Sequence, residues 1–403
     1  MRGFVLAAGL LLAACAAGPD TMQAVAPKSG PPTNGGYTYP QVASLTDGVW
    51  MKGDLHIHSR HSKDSSNNPV SKILALGKSA GVDYLLISDH DNHVKGDVAH
   101  NTWADPEYKS DSILLLYGAE WTTDRGHGTA FSAKPYDHQK LYDVRDQRDA
   151  VIGKVKKELG IHLSANHPSG KDHFGFSYDM VDSVEVWNSA VWPRNEAANL
   201  IWNDMLNSGR RLTGRGGSDS HHGVPDRPEL ATPNSTQAPN NNVGTPTTWV
   251  YGTARTGEAV VQGLTYGRVS ISANPYGPRV ELYADLDQDG RMDVMMGDNA
   301  KSSGKPVSFR VQLAGNVQPG GAYTVKVIRN SGDFRTLQAT GQADGKVAVA
   351  EFADTPSATG RTYYRVVVEG PQTPYPQVPG SAALSGNMVG LTNPIYFNFD
   401  PYF

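Results

Sequence analysis

A chain of 403 residues is long enough for two domains and a large core. Its 36 Lys and Arg nearly balance 40 Asp and Glu, a formal net charge of −4, which removes any electrostatic case for nucleic acid or an anionic membrane surface as partner. The single cysteine, Cys15, excludes an intramolecular disulfide, while 38% hydrophobic residues support a globular fold despite 43 Gly and 26 Pro.

The chain opens with a short basic start, Met1-Arg2, and an apolar run over 4–12 that leads into Leu12-Ala13-Ala14-Cys15. This resembles a bacterial lipoprotein signal over 1–15, in which the cysteine becomes the lipidated first residue. An ordinary secretory signal with an incidental cysteine is the alternative. The run is well short of the roughly 20 residues a membrane span needs. Residues 16–45, rich in Ala, Pro, Gly and Thr, read as a flexible tether. The expected protein is exported, an outer-membrane lipoprotein on the periplasmic side, touching the membrane only through lipid on Cys15.

Val49-Trp50-Met51 reads as a strand leading into Asp54-Leu55-His56-Ile57-His58-Ser59. Side chains alternate along a strand, so His56 and His58 face the same way and form a ready metal-ligand pair. Taken alone, two surface histidines explain them equally well. Residues 70–80 carry apolar positions at helical spacing, with Pro69 at the start and Gly81 as the stop. Residues 84–88 form a continuous apolar strand ending in Asp89-His90-Asp91, and 113–117 another ending in Gly118-Ala119-Glu120-Trp121. Strands apolar on both faces indicate a parallel, buried sheet. A shorter strand starts at Gly126-His127-Gly128. A helix over 149–159 precedes a strand over 161–165, which ends in Asn166-His167-Pro168. A strand over 183–187, a helix over 194–207 and the segment 211–214 then lead into Arg215-Gly216-Gly217-Ser218-Asp219-Ser220-His221-His222.

This alternation indicates an α/β fold whose polar groups sit at strand C-terminal ends, where α/β barrels place their active sites. Residues 223–246, rich in Pro, Asn and Thr, read as a loop over the barrel mouth. Strands over 248–251 and 268–272, with a helix over 256–263 between them, would complete a domain over 46–274. From about Asn274 the texture changes to alternating runs separated by Gly, Pro and Asp turns, which indicates a small antiparallel, Ig-like β-sandwich over 275–403.

His56, His58, Asp64, His90, Glu120, His127, His167, Asp219 and His221 all lie at or just past a strand end. Histidine and carboxylate donors suit zinc, manganese or iron(II), and so many strand-end donors point to a polynuclear metal site. Asp54 and Asp89 are candidates to orient histidines, with turn capping as the alternative. His222 is either a substrate contact or solvent-exposed. Arg60, Lys171, Arg194 and Arg215 are cations that could reach an anionic oxygen or be solvated surface charges. Trp121, Trp187 and Trp192 line a pocket or fill a core. Asp285, Asp287, Asp289 and Asp293 around Gly290 resemble half of a calcium loop. Met296 stands where its bidentate Glu belongs, and a polar turn between strands explains the run as well.

The ordered set Asp-Leu-His-Ile-His-Ser, Ser-Asp-His-Asp, Gly-Ala-Glu-Trp, Asn-His-Pro and Gly-Ser-Asp-Ser-His, spread over 50–275, resembles the successive motifs of the polymerase and histidinol phosphatase (PHP) superfamily. Gly267-Arg268-Val269-Ser270-Ile271-Ser272 followed by a β-rich segment is similar to the exported branch that includes carbaryl-type hydrolases. The resemblance implies a distorted seven-stranded β/α barrel binding two or three divalent metals. It places His56, His58 and Asp219 on a first metal, Glu120 between first and second, and His127 and His167 on the second. Asp64, with His61 as competitor, would hold a third metal with His90 and His221. The expected reaction is hydrolysis by a hydroxide held between two metals, with His90, His221 and Arg215 as the catalytic contacts. The expected partner is a small-molecule ester: a phosphodiester first, a carboxylic or carbamic ester second. A lipid-tethered binding protein without catalysis is the reading from another class.

Overall fold

The computed structural model describes residues 47–169, 173–221, 242–378 and 382–400, together with Leu45 and the backbone of a two-stranded ribbon, Thr33–Asn34 and Tyr37–Thr38. Cys15, most of the tether, Lys171, His222 and residues 223–241 lie outside the described residues. Among the described residues no helix is long and apolar enough to cross a membrane.

The architecture is mixed α/β, with one large sheet and a second, four-stranded sheet. Strands β1 (Val49–Ile57), β2 (Tyr84–Ile87), β3 (Leu114–Thr123), β4 (Gly126–Ser132), β5 (His162–Ala165), β6 (Ser183–Asn188) and β7 (Thr213–Gly217) pair in chain order. β1, β2 and β3 are parallel, β4 runs antiparallel to both neighbours, and β5, β6 and β7 are parallel again. Helix α1 (Val70–Ser79) follows β1, α2 (His138–Asp143) and α3 (Asp149–Leu159) join β4 to β5, and α4 (Glu196–Ser208) joins β6 to β7. α1 turns Val70, Ile73 and Leu76 inward, the helical spacing its sequence carries. Gly160 ends α3 in the left-handed region (φ 65°), where a side chain would be strained.

Beyond β7 the chain returns to the start of the run. His58 N donates to Ser220 O and Asp219 N to His56 O, both at 2.8 Å, so the last strand meets the first at one rim. On its other side β1 pairs antiparallel with β8 (Thr247–Gly252), which pairs with β9 (Val269–Ser272) across α5 (Gly257–Tyr266). The same sheet then continues from β9 into Met388–Thr392 and Thr362–Glu369. The second sheet orders Val294–Met295, Arg279–Asp285, Val307–Ala314 and Val347–Asp354.

α2 has no counterpart in the sequence reading, α5 runs on to Tyr266, and two further elements differ from expectation. β3 runs on to Thr123 because Glu120, Trp121 and Thr122 pair with Thr129, Gly128 and His127 of β4, so Glu120 stands inside a hairpin rather than beyond a strand. The helix expected over 194–207 starts at Glu196, after a 3-10 turn over Trp192–Asn195 in which Pro193 sits in the first turn.

His162, on β5, is fully buried between Thr265 Oγ1 (3.0 Å) and Ser183 Oγ (2.8 Å), and burial lowers its pKa from 6.5 to about 4. The unfolded chain therefore binds a proton that the folded chain refuses, so this contribution is present above pH 6.5 and is lost as pH falls toward 4. Its full size is on the order of 3 kcal/mol. Urea unfolding of metal-free His162→Gln should accordingly show a shallower stability loss across that window than the parent protein. An equal slope in both would contradict the assignment.

Candidate metal centre

The closing rim gathers the strand-end donors. Glu120 is the hub, at 1% exposure. Its Oε1 lies 3.4 Å from His56 Nε2, 3.3 Å from His127 Nδ1 and 3.2 Å from His167 Nε2. Its Oε2 lies 3.4 Å from His58 Nε2 and 3.0 Å from His90 Nδ1. Asp219 Oδ1 stands 3.4 Å from His56 Nε2, 3.2 Å from His58 Nε2 and 3.4 Å from His221 Nδ1. Asp64 Oδ2 lies 3.3 Å from His90 Nε2 and 3.5 Å from His221 Nε2. All nine residues singled out from the sequence thus meet in one cluster. His56, His58 and Glu120 form its closed floor, while Asp64, His127, His167, Asp219 and His221 are partly open to solvent.

Two of the donors sit on unusual backbone: His167 (φ 24°) and Asp219 (φ 53°) both have positive φ without being glycine. Such conformations concentrate where a side chain must be aimed.

The chemistry of the donors fits divalent metal. His56 Nε2, His58 Nε2 and Glu120 Oε2 are buried without a hydrogen-bond partner, an arrangement that is costly unless a cation completes it. Two ligands on one tetrahedral ion with bonds of about 2.1 Å stand about 3.4 Å apart, close to the spacings found here. Hydrogen bonds from behind also aim the rings. His56 Nδ1 donates to Glu185 Oε1 (3.0 Å) and His221 Nδ1 to the Asp219 carbonyl (2.8 Å). His90 Nδ1 donates to Thr122 Oγ1 (2.7 Å), whose own proton goes to Glu120 O. Each Nε2 is left with its lone pair facing the cluster.

The electrostatics ask for positive charge. Burial alone would lower the His56 pKa, but Glu185, Glu120 and Asp219 raise it well above the usual value. Burial opposes the charge on Glu120, yet His56 and His90, with hydrogen bonds from His127 and His167, hold its carboxyl well below the usual range. Burial lowers His90 as well, but Glu120 and Asp64 bring it up to about 10.

One sequence reading, that of Arg215, is corrected, and several open ones are decided. Arg215 is fully buried and donates to Glu185, Ser164, Thr129 and Asn166, so it cannot reach a substrate oxygen. Arg60 and His61 both pair with Asp105, which removes His61 as a competitor of Asp64. Asp54 accepts from His56 N, Ser218 N and Gly244 N and is a turn cap. Asp89 accepts from Ser59, Ser62 and Thr102, and among the described residues it touches no histidine ring directly. Trp121 and Trp187 are wholly buried core residues, with Trp192 packed on Trp187. Arg194 is exposed on the turn before α4. In the aspartate-rich turn, Asp285, Asp287, Asp289 and Asp293 each accept a backbone N–H of that same turn.

Four residues near the cluster carry no role from sequence. His93 stacks edge-on against His90, and one of its nitrogens lies within 4.8 Å of ligand atoms of Asp64 and His90. Thr122 and Asn166 hold His90 and Glu120. Glu185 carried a readable signal: one charged residue inside the apolar strand Ser-Val-Glu-Val-Trp must find buried partners.

No known protein-family model matches the chain, and no curated protein sequence does. Solved structures similar to it include these two. A two-domain protein from Bacteroides vulgatus, described as containing a predicted PHP-like metal-dependent phosphoesterase, is 14% identical over 89% of this chain and 98% of its own, with a TM-score of 0.42. The CARDB domain of a Pyrococcus furiosus protein, solved with di-metal ions, is 13% identical over 30% of this chain and 94% of its own, with a TM-score of 0.18.

Mn2+ or Zn2+ added to chelated protein at a hundredfold excess over Kd should raise the unfolding free energy by about 3 kcal/mol. Glu120→Ala should abolish most of this gain and lower the metal count per chain. An unchanged count by elemental analysis would remove Glu120 from the site.

Proposed function

We propose that this protein is a metal-dependent hydrolase of the PHP type that cleaves small phosphodiesters. The observation that carries the reading is one buried carboxylate, that of Glu120, contacted by five imidazoles, with Asp219 and Asp64 completing the cluster. Divalent cations held there would supply Lewis acidity toward a phosphoryl or carbonyl oxygen and make water acidic enough to attack near neutral pH. The strands β1 to β7 are read as the distorted seven-stranded barrel, and residues 275–403 as a β-sandwich. Residues 1–15 support export as a lipoprotein tethered at Cys15.

The chain's own groups divide the work by exposure. His56, His58 and Glu120 form the floor and exclude water from behind. Among the described residues, the side open to substrate is the one over Asp64, His127, His167, Asp219 and His221. There His90 and His221 flank Asp64, and whichever of the two rings is not on a metal and carries a proton on Nε2 is placed to pass it to a leaving oxygen.

Cation supply favours a diester over a monoester. A monoester dianion needs several fixed cations, yet Arg215 is spent on Glu185 and Arg60 on Asp105. The same observation makes a carboxylic or carbamic ester the second reading, since a neutral ester needs no cation at all.

Bis(p-nitrophenyl) phosphate should be hydrolysed about tenfold or more faster than p-nitrophenyl phosphate, with EDTA removing activity and Asp64→Ala lowering kcat/KM about a hundredfold. Preference for the monoester would defeat the diester reading. Turnover of aryl acetates or carbamates alone would establish the second one. Metal uptake without turnover of any ester would leave a tethered binding protein.

A further inference from the structure

Behind the ligands, five buried side chains from five segments close a ring. His56 on β1 donates to Glu185 Oε1 on β6 at 3.0 Å. Arg215 Nη1 on β7 donates to the same oxygen at 2.7 Å. Arg215 Nη2 donates to Asn166 Oδ1, just past β5, at 2.5 Å. Asn166 Nδ2 donates to Glu120 Oε1 on β3 at 2.8 Å, and Glu120 Oε1 stands 3.4 Å from His56 Nε2. All five residues are at most 1% exposed. The ring is tied outward as well: Arg215 Nε donates to Ser164 Oγ at 2.7 Å, and Glu185 Oε2 accepts from His167 N at 2.9 Å and Asn188 Nδ2 at 3.1 Å.

The arrangement has two consequences. A carboxylate against His56 Nδ1–H fixes the ring's tautomer and makes Nε2 a better donor. Alone, that carboxylate would add a second buried negative charge beside Glu120; the Arg215 guanidinium cancels it and leaves Glu120 as the ring's one uncompensated charge, facing the metal position. The fit is tight. A Cβ on Gly217 would overlap Glu185 Oε1 and come within 2.6 Å of His56 Cβ and 2.8 Å of Arg215 Nη1.

We propose that Glu185 and Arg215 are positioning residues that pre-set His56 and Glu120 for metal and thereby fix the affinity of the His56–His58–Asp219 position, without touching substrate. This rests on the metal-centre reading above but not on which ester is cleaved. Removing either charge alone leaves its partner buried and unpaired, which endangers folding. The informative variant is therefore E185Q/R215M, in which both charges go together at similar volume. The probe is Co2+, followed by its visible spectrum and by competition with a chromogenic chelator, alongside thermal unfolding of the metal-free proteins.

The double variant should fold with a metal-free Tm close to that of the parent. It should bind its tightest Co2+ about tenfold to hundredfold more weakly and show an altered spectrum. Parent-like Co2+ affinity and spectrum in a folded E185Q/R215M would overturn the proposal. So would Arg215→Met that raises only KM, since that is the signature of a substrate contact. A parent protein that binds Co2+ but hydrolyses no ester would sink the hydrolase reading and leave this one standing. A parent that takes up no Co2+ would sink both.

Discussion

A carboxylate buried at 1% exposure and touched by five imidazoles is the constraint on which the rest of this structure turns. Glu120 cannot sit there without compensating charge, because an isolated ionised carboxyl in a protein interior costs several kcal/mol. The five compensating rings arrive from four segments: His56 on β1 and His58 just past it, His90 after β2, His127 on β4 and His167 after β5. The hairpin of β3 and β4 matters here. Its register sets Thr122 opposite His127, which brings His127 back over Glu120, and no purely parallel arrangement of the same strands would do so.

Compensation by histidine also requires that the rings point correctly, and the structure achieves this with hydrogen bonds from behind. Glu185, Thr122 and the Asp219 carbonyl each take an Nδ1 proton. The positive φ of Asp219 is part of the same device, because it turns that carbonyl toward His221 while the carboxylate faces His56 and His58. The cost of that backbone, of order 1–3 kcal/mol, is met by the two inter-strand bonds joining β1 to Asp219 and Ser220.

Much of this was legible in the residues. Donor types at strand ends, read through the two-residue period of a strand, brought out nine members of the cluster but not His93, which follows His90 on a turn. Asp64 was separable from His61 only in three dimensions, since both follow His58 closely and only the Asp105 carboxylate on a distant turn decides between them. Arg215 misled because a lone Arg near Gly-Ser-Asp reads as a substrate cation, whereas its partner Glu185 lies 30 residues earlier on the neighbouring strand. Strand pairing of that kind is a long-range fact that no local pattern carries. The extent of β3 was underestimated for a similar reason. Glu120 and Thr122 are polar, and only pairing with β4 keeps them in the strand.

The C-terminal strands belong to the same argument. Asn393 donates through Nδ2 to Gly214 O (2.8 Å) and Val269 O (3.0 Å) and accepts through Oδ1 from Gly214 N (2.8 Å). It thus completes the backbone of β7 one residue before Arg215. Gly214 in turn lies so close to the Trp202 ring of α4 that a Cβ would come within 2.7 Å of it. Arg365 lies over the Trp202 ring at 4.8 Å, with its guanidinium on Asn203. β7 is therefore clamped from α4 and from the C-terminal strands at once. A strand held this way delivers Arg215 to the ring, and the turn beyond it delivers Asp219 to the histidines. Residues far beyond the donor motifs thereby contribute to where the donors stand.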